Sequence, residues 1–277
     1  MNVVNVANIE VGGGRPVLIA GPCLAESYDM CRTVAEKMSS VCSELSIQYI
    51  FKTSFDKANR SGAGGARGPG LEAGLNVLGR IRREFSLPVT TDVHLPEQAA
   101  PVAECVDLLQ VPAFLCRQTD LLQACAATGR PVNVKKGQFL APWDAKNIVE
   151  KLEGANAAGI ILTERGTTFG YNNLVVDMAG LPVLRSFGWP VCFDATHSAQ
   201  KPGGLGTASG GARDSIPYLA SAAVAVGIDA LFLEVHPDPG KALSDAATQW
   251  PLDRVEALLS RVVRIWEAAE RRVPVSD

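Results

Sequence analysis

The sequence of 277 residues lacks the features that mark several other classes of protein. Aromatic residues make up only 6% of it, and 26 basic residues stand against 29 acidic ones, for a formal net charge of −3. A nucleic-acid-binding surface needs a basic stripe with stacking rings or base-reading side chains, so this composition argues against one. Eighteen apolar residues never occur in succession, which argues against a membrane-spanning helix.

Paired cysteines and a secretion signal are missing as well. The seven cysteines are scattered and never spaced as Cys-x-x-Cys, which is typical of reduced, buried thiols rather than of a disulfide framework. The first residues, MNVVNVANIEVGGG, contain neither a basic start nor a long apolar stretch. We therefore expect a cytoplasmic protein. No low-complexity segment or Pro/Ser-rich linker interrupts the chain, so we expect residues 1–277 to form a single domain.

What the sequence does contain is a short apolar run that recurs eight times, and each run has the composition of a buried strand. Segments with helical periodicity lie between the runs. Ser27 is suited to cap one helix, and Thr119 to open another that closes at Gly129. Pro251 is expected in the first turn of the last helix. The runs span residues 16–23, 49–55, 88–93, 106–113, 131–137, 159–166, 190–197 and 230–237.

Alternating strands and helices fit either a closed (β/α)₈ TIM barrel of the α/β class or an open doubly wound sheet. Polar residues near the C-terminal ends of the runs favour the barrel, because only a closed ring brings all eight ends to one mouth. We expect the segment before residue 16 to form a β-hairpin that closes the other end. The polar residues at the run ends are Cys23, Lys52, Asp92, Gln110, Lys135, Arg165, His197 and Glu234.

Basic residues are concentrated near these predicted strand ends. Four of them fall within sixteen residues with only Asp56 opposing them, and Lys135 and Arg165 end two further strands. A mixture of guanidinium and ammonium groups suits a small ligand that carries several negative charges. The alternative is that they form salt bridges to barrel carboxylates such as Asp92 or Asp194. The four clustered residues are Lys52, Lys57, Arg60 and Arg67.

A metal site is a second hypothesis. Cys23, His197 and Glu234 end the first, seventh and eighth predicted strands, which are neighbours in a closed barrel, and Asp245 follows the eighth. One thiolate, one imidazole and two carboxylates suit Zn, Fe, Mn or Co as a divalent ion. The alternatives are that Cys23 is a packed small side chain, or that His94 or His236 is the functional histidine.

Two glycine-rich stretches, residues 61–70 and 202–215, follow the second and seventh predicted strands. Both stretches are candidates for mobile loops that close over the mouth and exclude water, but for residues 61–66 a plain surface loop is the favoured interpretation. The pattern G-x-x-x-x-G-K-[ST] is absent, so a nucleotide-binding P-loop is not expected.

At the level of motifs, the sequence resembles the 3-deoxy-D-manno-octulosonate 8-phosphate synthases. The similarity extends from residue 16 to about residue 252, and the run Lys57-Ala58-Asn59-Arg60-Ser61 is the most specific part of it. The other matching motifs are Gly21-Pro22-Cys23, Phe51-Lys52, Arg67-Gly68-Pro69-Gly70, Gln118-Thr119-Asp120, Asn133-Val134-Lys135-Lys136, Arg165-Gly166, Phe169-Gly170-Tyr171 and Glu234 with His236-Pro237.

The resemblance implies a barrel enzyme, a homotetramer, that condenses phosphoenolpyruvate with D-arabinose 5-phosphate and water and releases phosphate, in lipopolysaccharide biosynthesis. It implies that Lys135, Arg165, Gln110 and the backbone of Ala113 hold the phosphate of phosphoenolpyruvate. Its carboxylate would be bound by Lys52, Ser54 and Lys57. The pentose phosphate would be bound by Asn59, Arg60, Ser61 and Asp92, with Arg60 and Ser61 acting across a subunit interface.

The family has metal-requiring and metal-free branches, which differ at the position of Cys23. A cysteine there, together with residues 244–249, resembles the metal-requiring branch and implies one divalent metal ion on Cys23, His197, Glu234 and Asp245. His197 or Asp245 would relay protons, and Lys57 is a third candidate catalytic residue.

Three other functions compete with this one. The related synthase that uses erythrose 4-phosphate shares the barrel, the cationic residues and the metal set, but has a Lys-Pro-Arg type run in place of residues 57–61. A Schiff-base aldolase would use Lys135 or Lys52 as its nucleophile. A non-catalytic sugar-phosphate-binding barrel would bind the ligand and release no phosphate.

Overall fold

Eight parallel strands form a closed ring in the computed structural model, which describes residues 1–60, 62, 64–204, 206 and 209–269. In chain order the strands are β1 (Val4–Val6), β2 (Ile9–Val11), β3 (Val17–Gly21), β4 (Gln48–Lys52), β5 (Val89–Asp92), β6 (Leu108–Val111), β7 (Val132–Lys135), β8 (Ile160–Glu164), β9 (Thr167–Thr168), β10 (Leu174–Val175), β11 (Val191–Asp194), β12 (Gln200–Lys201), β13 (Gly210–Gly211), β14 (Ala230–His236) and β15 (Trp250–Pro251). The α-helices are α1 (Tyr28–Glu44), α2 (Leu71–Phe85), α3 (Ala99–Cys105), α4 (Thr119–Ala126), α5 (Lys146–Gly154), α6 (Gly180–Arg185), α7 (Ala195–Ser198), α8 (Ile216–Val226) and α9 (Val255–Ala268).

The ring has the order β3–β4–β5–β6–β7–β8–β11–β14, and it closes because β14 pairs in parallel with β3. Every other neighbouring pair is parallel too. At least one helix follows each of these strands. The (β/α)₈ TIM barrel is therefore confirmed. An open sheet is excluded, because it would have two unpaired edge strands, whereas β14 and β3 pair with each other. The eight predicted apolar runs coincide with the eight barrel strands.

The predicted N-terminal hairpin is also present. Strands β1 and β2 pair antiparallel, and their buried side chains pack against inward-facing residues of the barrel such as Ile19, Ile50 and Ile161. The hairpin therefore closes the end of the barrel that lies opposite the C-terminal strand ends. That residues 1–277 form a single domain stays a prediction.

The barrel interior changes from apolar to polar along its axis. Residues two apart on a strand face the same side, so Ile161 and Thr163 of β8 both point inward, as do Phe232 and Glu234 of β14. The first member of each pair belongs to the apolar cluster around the hairpin, and the second is a buried polar residue nearer the C-terminal end. Polar chemistry is therefore confined to one end.

Local sequence signals explain the boundaries of α1 and α4. The hydroxyl of Ser27 accepts a hydrogen bond from the backbone N–H of Met30, which makes Ser27 the predicted cap of α1. Helix α4 begins at Thr119 as predicted, and Gly129 follows its end with φ +73°. Pro251 itself lies in the short strand β15 beside His236, so it precedes the helical segment by one residue instead of lying in its first turn. A 3₁₀ turn over Leu252–Arg254 follows it directly and leads into α9 at Val255.

In the part of the chain that the structure describes, all seven cysteines are free. Among the described helices, none is both long enough and apolar enough to cross a membrane.

Candidate active site

The C-terminal ends of the barrel strands surround a cavity of about 450 Å³. Cys23, Ser54 and Glu234 are buried beside the residues that line it, at hydrogen-bond distance from them. Ser61 lies outside the described residues. The remaining residues expected in the site line the cavity directly: Lys52, Lys57, Asn59, Arg60, Asp92, Gln110, Ala113, Lys135, Arg165, His197 and Asp245.

Lys52, at the end of β4, is the centre of a buried charged group. Its Nζ donates to Ser54 Oγ at 2.9 Å and lies 3.2 Å from Glu234 Oε1. The carboxylate of Asp92 is 3.6 Å away and accepts a hydrogen bond from the Ser54 hydroxyl. Lys57 joins the group from the loop after β4, with its Nζ 3.1 Å from Ser54 Oγ. Two ammonium groups thus converge on one hydroxyl.

The charges in this group keep one another ionised. Burial by itself raises the pKa of Asp92, but Lys52 and Lys57 outweigh it and hold that pKa well below its usual range. Burial lowers the pKa of Lys57, yet the surrounding Cys23, Glu234 and Asp92 groups raise it above its ordinary value. Lys57 is therefore a permanent cation, suited to holding an anion and not to accepting a proton.

On the other side of the barrel, Lys135 of β7 donates a hydrogen bond to the carboxylate of Asp194. Its Nζ also lies 3.6 Å from the centre of the Phe232 ring and 3.4 Å from Nδ1 of His197. Lys135 and Lys52 each form a salt bridge and each line the cavity. Ligand binding and salt-bridge formation, the two interpretations of the basic residues, are therefore compatible for both lysines.

Arg165 follows β8 and is buried with one side of its guanidinium unsatisfied. Its Nη2 donates to Gln200 Oε1 at 3.0 Å, while Nη1 has no hydrogen-bond partner among the described residues. Burial lowers the pKa of Arg165, although nearby carboxylates oppose this. The neighbouring Glu164 accepts the backbone N–H groups of Arg165 and Gly166. The free donor of Arg165 is a candidate anion contact.

Arg60 reaches the cavity from the loop after β4. Its Nη1 donates to Ser244 Oγ at 2.8 Å, and its Nε donates to the carbonyl of Ala66 at 2.7 Å. Arg67 does not join the site, because it pairs with Asp56 and its side chain is 64% exposed. Of the four clustered cations, Lys52, Lys57 and Arg60 line the cavity, and Arg67 follows the alternative of a salt bridge.

Three of the four expected metal ligands lie close together. One ligand atom each from Cys23, Glu234 and Asp245 lies within 4.8 Å of the other two, and Cys23 Sγ is 3.2 Å from Asp245 Oδ2. His197 Nε2 is 3.6 Å from Asp245 Oδ2 and 3.8 Å from Glu234 Oε2. His94 packs its ring against Phe55 elsewhere in the cavity. Of the two alternative histidines, His94 thus lies apart from this group.

His236, the other alternative, faces Glu26 at 3.7 Å. The histidine beside the thiol and the carboxylates is thus His197.

The donor atoms of this group fit a divalent cation. Glu234 Oε2 is buried and lacks a hydrogen-bond partner within the described ranges, an arrangement that is costly for a carboxylate oxygen. Burial and the carboxylates of Asp245 and Glu234 raise the pKa of the Cys23 thiol well above its ordinary value. A cation at this position would reverse both effects, because it supplies the missing partner and stabilises the thiolate.

His197 is oriented by Asp194. Its Nδ1 lies 2.7 Å from Asp194 Oδ2, and its backbone N–H donates to Asp194 Oδ1 at 2.9 Å. Burial lowers the pKa of His197, but Asp194 and Glu234 outweigh it and raise the pKa above its ordinary value. Because the carboxylate occupies Nδ1, Nε2 is directed toward Asp245 and Glu234.

Three residues missed by the sequence reasoning support the site. Gln200 holds Arg165, and Ser244 holds Arg60. Gln249 accepts a hydrogen bond from the Cys23 backbone N–H at 3.1 Å and donates to the Ser244 carbonyl at 2.8 Å, so it joins the two segments that carry metal-ligand candidates. Of these three residues, only Ser244 and Gln249 could have been found from the sequence, because they belong to the segment 244–249 that resembles the metal-requiring branch.

The glycine-rich stretches are partly anchored. Arg67 accepts a backbone hydrogen bond from Lys57 at 2.7 Å, and Gly70 donates one to Phe55 at 3.1 Å. A Cβ on Gly211 would lie 2.2 Å from Thr248, so close packing requires a glycine there. Residues 67–70 and 210–211 are therefore held against the barrel at these contacts, and closure of the loops over the mouth stays a prediction.

Comparison with known proteins shows the family to which the chain belongs. The model of the DAHP synthetase I family matches residues 1–270. A protein of Nitratidesulfovibrio vulgaris named 2-dehydro-3-deoxyphosphooctonate aldolase is 58% identical over 252 residues, covering 91% of this chain and 92% of that protein. Proteins with the same name from Cyanothece sp. and Azoarcus sp. are 57% and 53% identical, over 93% and 97% of this chain and 95% and 98% of theirs. The chain belongs to the DAHP synthetase I family, within which it is similar to the 2-dehydro-3-deoxyphosphooctonate aldolases.

Proposed function

We propose that this chain is an enzyme that condenses phosphoenolpyruvate with D-arabinose 5-phosphate and water, releasing inorganic phosphate and 3-deoxy-D-manno-octulosonate 8-phosphate for lipopolysaccharide biosynthesis. The name shared by its similar relatives supports the reaction. The structural observation that carries it is a pair of cationic groups on opposite sides of one cavity. Lys57 and Arg60 follow β4, whereas Arg165 follows β8, which is diametrically opposite in the ring.

In this proposal, phosphoenolpyruvate lies between the two groups. Its phosphate is bound by Lys135 and Arg165, whose Nη1 has a donor to spare, with Gln110 and the backbone of Ala113 alongside. Its carboxylate is bound by Lys52, Lys57 and Ser54, which already share hydrogen bonds. Charge-assisted hydrogen bonds of this kind are the strong ones, and a buried setting strengthens them further.

The pentose phosphate is assigned to Asn59, Arg60, Ser61 and Asp92. Asn59 and Arg60 line the mouth of the cavity, whereas Asp92 lies deeper. This placement supports a substrate whose phosphate is near the mouth and whose hydroxyls reach the buried carboxylate. Arg60 lines the cavity of its own chain, which supports binding of the pentose phosphate within one subunit. The resemblance implies instead that Arg60 acts across a subunit interface.

Bringing two phosphorylated reactants together is the main electrostatic problem of this reaction. Two unit charges 4 Å apart interact by about 4 kcal/mol at an effective dielectric constant of 20, so each phosphate needs its own cations. Separate cationic groups meet this requirement, and holding the reactants face to face contributes roughly 7–11 kcal/mol through positioning. We therefore infer that positioning is the principal catalytic device.

We further propose that Cys23, His197, Glu234 and Asp245 hold one divalent ion of Zn, Fe, Mn or Co. When bound, such an ion polarises an oxygen ligand and lowers the pKa of bound water. Asp194 orients His197, and His197 and Asp245 are then placed to hold or transfer a proton at Nε2 and at the carboxylate. Lys57 acts as a fixed cation at the substrate carboxylate.

A homotetramer and a cytoplasmic location complete the proposal. Exposed aromatic rings on the loops that follow β6, β7 and β8 support a contact with other copies, because large apolar side chains seldom remain exposed together without a partner. The free cysteines agree with a reducing compartment. Light scattering after gel filtration tests the assembly. The rings are those of Phe114, Phe139 and Phe169, which are 55%, 51% and 71% exposed.

The decisive experiment measures phosphate release from phosphoenolpyruvate with the five-carbon or the four-carbon sugar phosphate, before and after chelation. Release with D-arabinose 5-phosphate alone supports the proposal, and release with erythrose 4-phosphate alone favours the related synthase. Binding without release indicates a non-catalytic barrel. Trapping with borohydride checks for a Schiff base on Lys135 or Lys52, which the salt bridges of both lysines disfavour.

A further inference from the structure

Four buried polar side chains form a continuous hydrogen-bonded row across the barrel, which we call the Asp92–Thr163 ladder. Thr163 Oγ1 donates to Asn133 Oδ1 at 2.6 Å, and Asn133 Nδ2 donates to Gln110 Oε1 at 3.0 Å. Gln110 Nε2 then donates to Asp92 Oδ1 at 2.6 Å. The four residues lie on β8, β7, β6 and β5, which are successive neighbours in the ring. The ladder therefore links half of the barrel strands, and two of its members, Asp92 and Gln110, line the cavity.

The direction of every hydrogen bond in the ladder follows from the charge of Asp92. Its carboxylate is ionised beside Lys52 and can only accept hydrogen bonds. Gln110 must therefore present its NH₂ group to Asp92, which leaves its carbonyl oxygen for Asn133. Asn133 must in turn present its own NH₂ group to Gln110, and its carbonyl oxygen is left for the hydroxyl of Thr163. Each amide has one orientation that satisfies both of its neighbours.

Solvent cannot replace these bonds, because Thr163, Asn133 and Gln110 are each 0% exposed and Asp92 is 6% exposed. The ladder also lies directly beneath the phosphate-binding cations. Asn133 and Lys135 lie two residues apart on β7 and therefore face the same side, and Thr163 lies two residues before Arg165, which follows the end of β8. An error in amide orientation at Asn133 would thus pass to Gln110 and Asp92 within the site itself.

We propose that Asn133 and Thr163 are positioning residues: the Thr163 hydroxyl holds the Asn133 amide in place, and Asn133 in turn holds Gln110 against Asp92, so that Gln110 and Asp92 present their polar atoms to the substrates. Asn133 and Thr163 are not among the described residues that line the cavity, so both act through other side chains. The activity part of this inference rests on the proposed function. Because Lys135 and Arg165 hold phosphate by charge, loss of the ladder lowers kcat much more than it changes the KM for phosphoenolpyruvate.

Three variants test the proposal. Thr163→Val keeps the side-chain shape and removes the hydroxyl, while Thr163→Ser keeps the hydroxyl. Thr90→Val is the matched control, because Thr90 is equally buried, lies two residues before Asp92 on the same face of β5, and has no hydroxyl partner within the described chain. We expect kcat to fall about 10- to 100-fold in Thr163→Val, with the KM for phosphoenolpyruvate changed less than about threefold. Thr163→Ser and Thr90→Val should keep the wild-type kcat.

A second measurement does not depend on activity. The side-chain NH₂ group of Asn133, identified by NMR from its absence in Asn133→Leu, should exchange slowly with solvent in the wild type and in Thr163→Ser. In Thr163→Val we expect its exchange to be at least about tenfold faster, because the amide loses the bond that fixes it. Thr90→Val should leave it unchanged.

The outcomes separate the two proposals. An equal kcat in Thr163→Val and the wild type overturns the positioning role, and so does an equal loss in Thr163→Ser or Thr90→Val. A wild-type chain that releases no phosphate contradicts the proposed function alone. In that case the hydrogen-exchange measurement alone tests whether Thr163 holds the Asn133 amide in place. Unchanged exchange in Thr163→Val overturns that role.

Discussion

The thiol sulfur of Cys23 lies 3.2 Å from Oδ2 of Asp245, although 222 residues separate them in the chain. Closure of the barrel brings them together, because β3 and β14 are the neighbours that complete the ring. Glu234, on β14, completes this compact group. A buried thiol between two carboxylates is an unfavourable arrangement unless a cation joins them.

Removal of the thiol should therefore remove a metal ion. We expect the wild type to retain one divalent ion per chain after dialysis, and Cys23→Ala to lose most of it together with phosphate release, because the substitution removes the proposed sulfur ligand. Elemental analysis of both proteins measures this. The matched control is Cys125→Ala, a buried cysteine on α4 outside the site. Full activity of Cys23→Ala, or of chelated wild type, contradicts the metal assignment.

The Arg165 side chain offers a test of the phosphate site. Arg165→Lys keeps the charge but loses the planar fork, and so it should raise the KM for phosphoenolpyruvate about tenfold or more while the KM for the pentose phosphate changes little. Steady-state kinetics with each substrate varied in turn measures this. Arg67→Lys, at the exposed pair with Asp56, is the control and should behave as wild type. A selective rise in the KM for the pentose phosphate would instead indicate that Arg165 binds the phosphate of the pentose and not that of phosphoenolpyruvate.

Asp92 should contribute a pH-dependent part of the free energy of unfolding. Lys52 and Lys57 hold its pKa in the folded state well below the unfolded value of about 3.9, so its contribution is present at neutral pH and is lost as the pH falls below that value. Asp92→Asn should therefore be less stable than wild type by about 3 kcal/mol at pH 7, and the difference should narrow below about pH 4.

Urea unfolding of both proteins between pH 7 and pH 3 measures this difference. Asp144→Asn is the control, because that side chain is exposed. A gap between wild type and Asp92→Asn that stays constant over this range would contradict the role given to the charge of Asp92.

Gly21, at the end of β3, is required by its contact with the next strand. An added Cβ would lie 1.9 Å from the backbone carbonyl oxygen of Lys52, and backbone cannot rotate away as a side chain can. Gly21→Ala should destabilise the protein by about 3 kcal/mol or more, through overpacking and displacement of Lys52. Gly154→Ala, at the end of α5 with no heavy atom within 4 Å of the added Cβ, should be neutral or up to about 1 kcal/mol stabilising. Thermal unfolding compares the two, and equal stabilities would show that β3 can shift away from Lys52.

The order of strands and helices was readable from the sequence, because burial on both faces makes each parallel strand a short apolar run and a one-sided helix shows its period directly. Polar residues such as Lys52 and Arg165 at the run ends also predicted the barrel and its mouth. The start of α9 was misplaced at Pro251, because a proline suits either a first helical turn or a short edge strand, and the pairing of β15 with β14 is a non-local choice.

Distances between side chains were decided only by the tertiary structure. The sequence alone specified that Cys23, Glu234 and Asp245 stand near strand ends, but their approach within 4.8 Å depends on ring closure. It contained no signal that Gln200 holds Arg165, or that Arg67 turns away to Asp56 while its neighbour Arg60 turns inward to Ser244. The direction in which each arginine side chain turns depends on the partner that the fold brings beside it. A local sequence pattern cannot encode partners that lie 35 residues away, as Gln200 does from Arg165, or 184 residues away, as Ser244 does from Arg60.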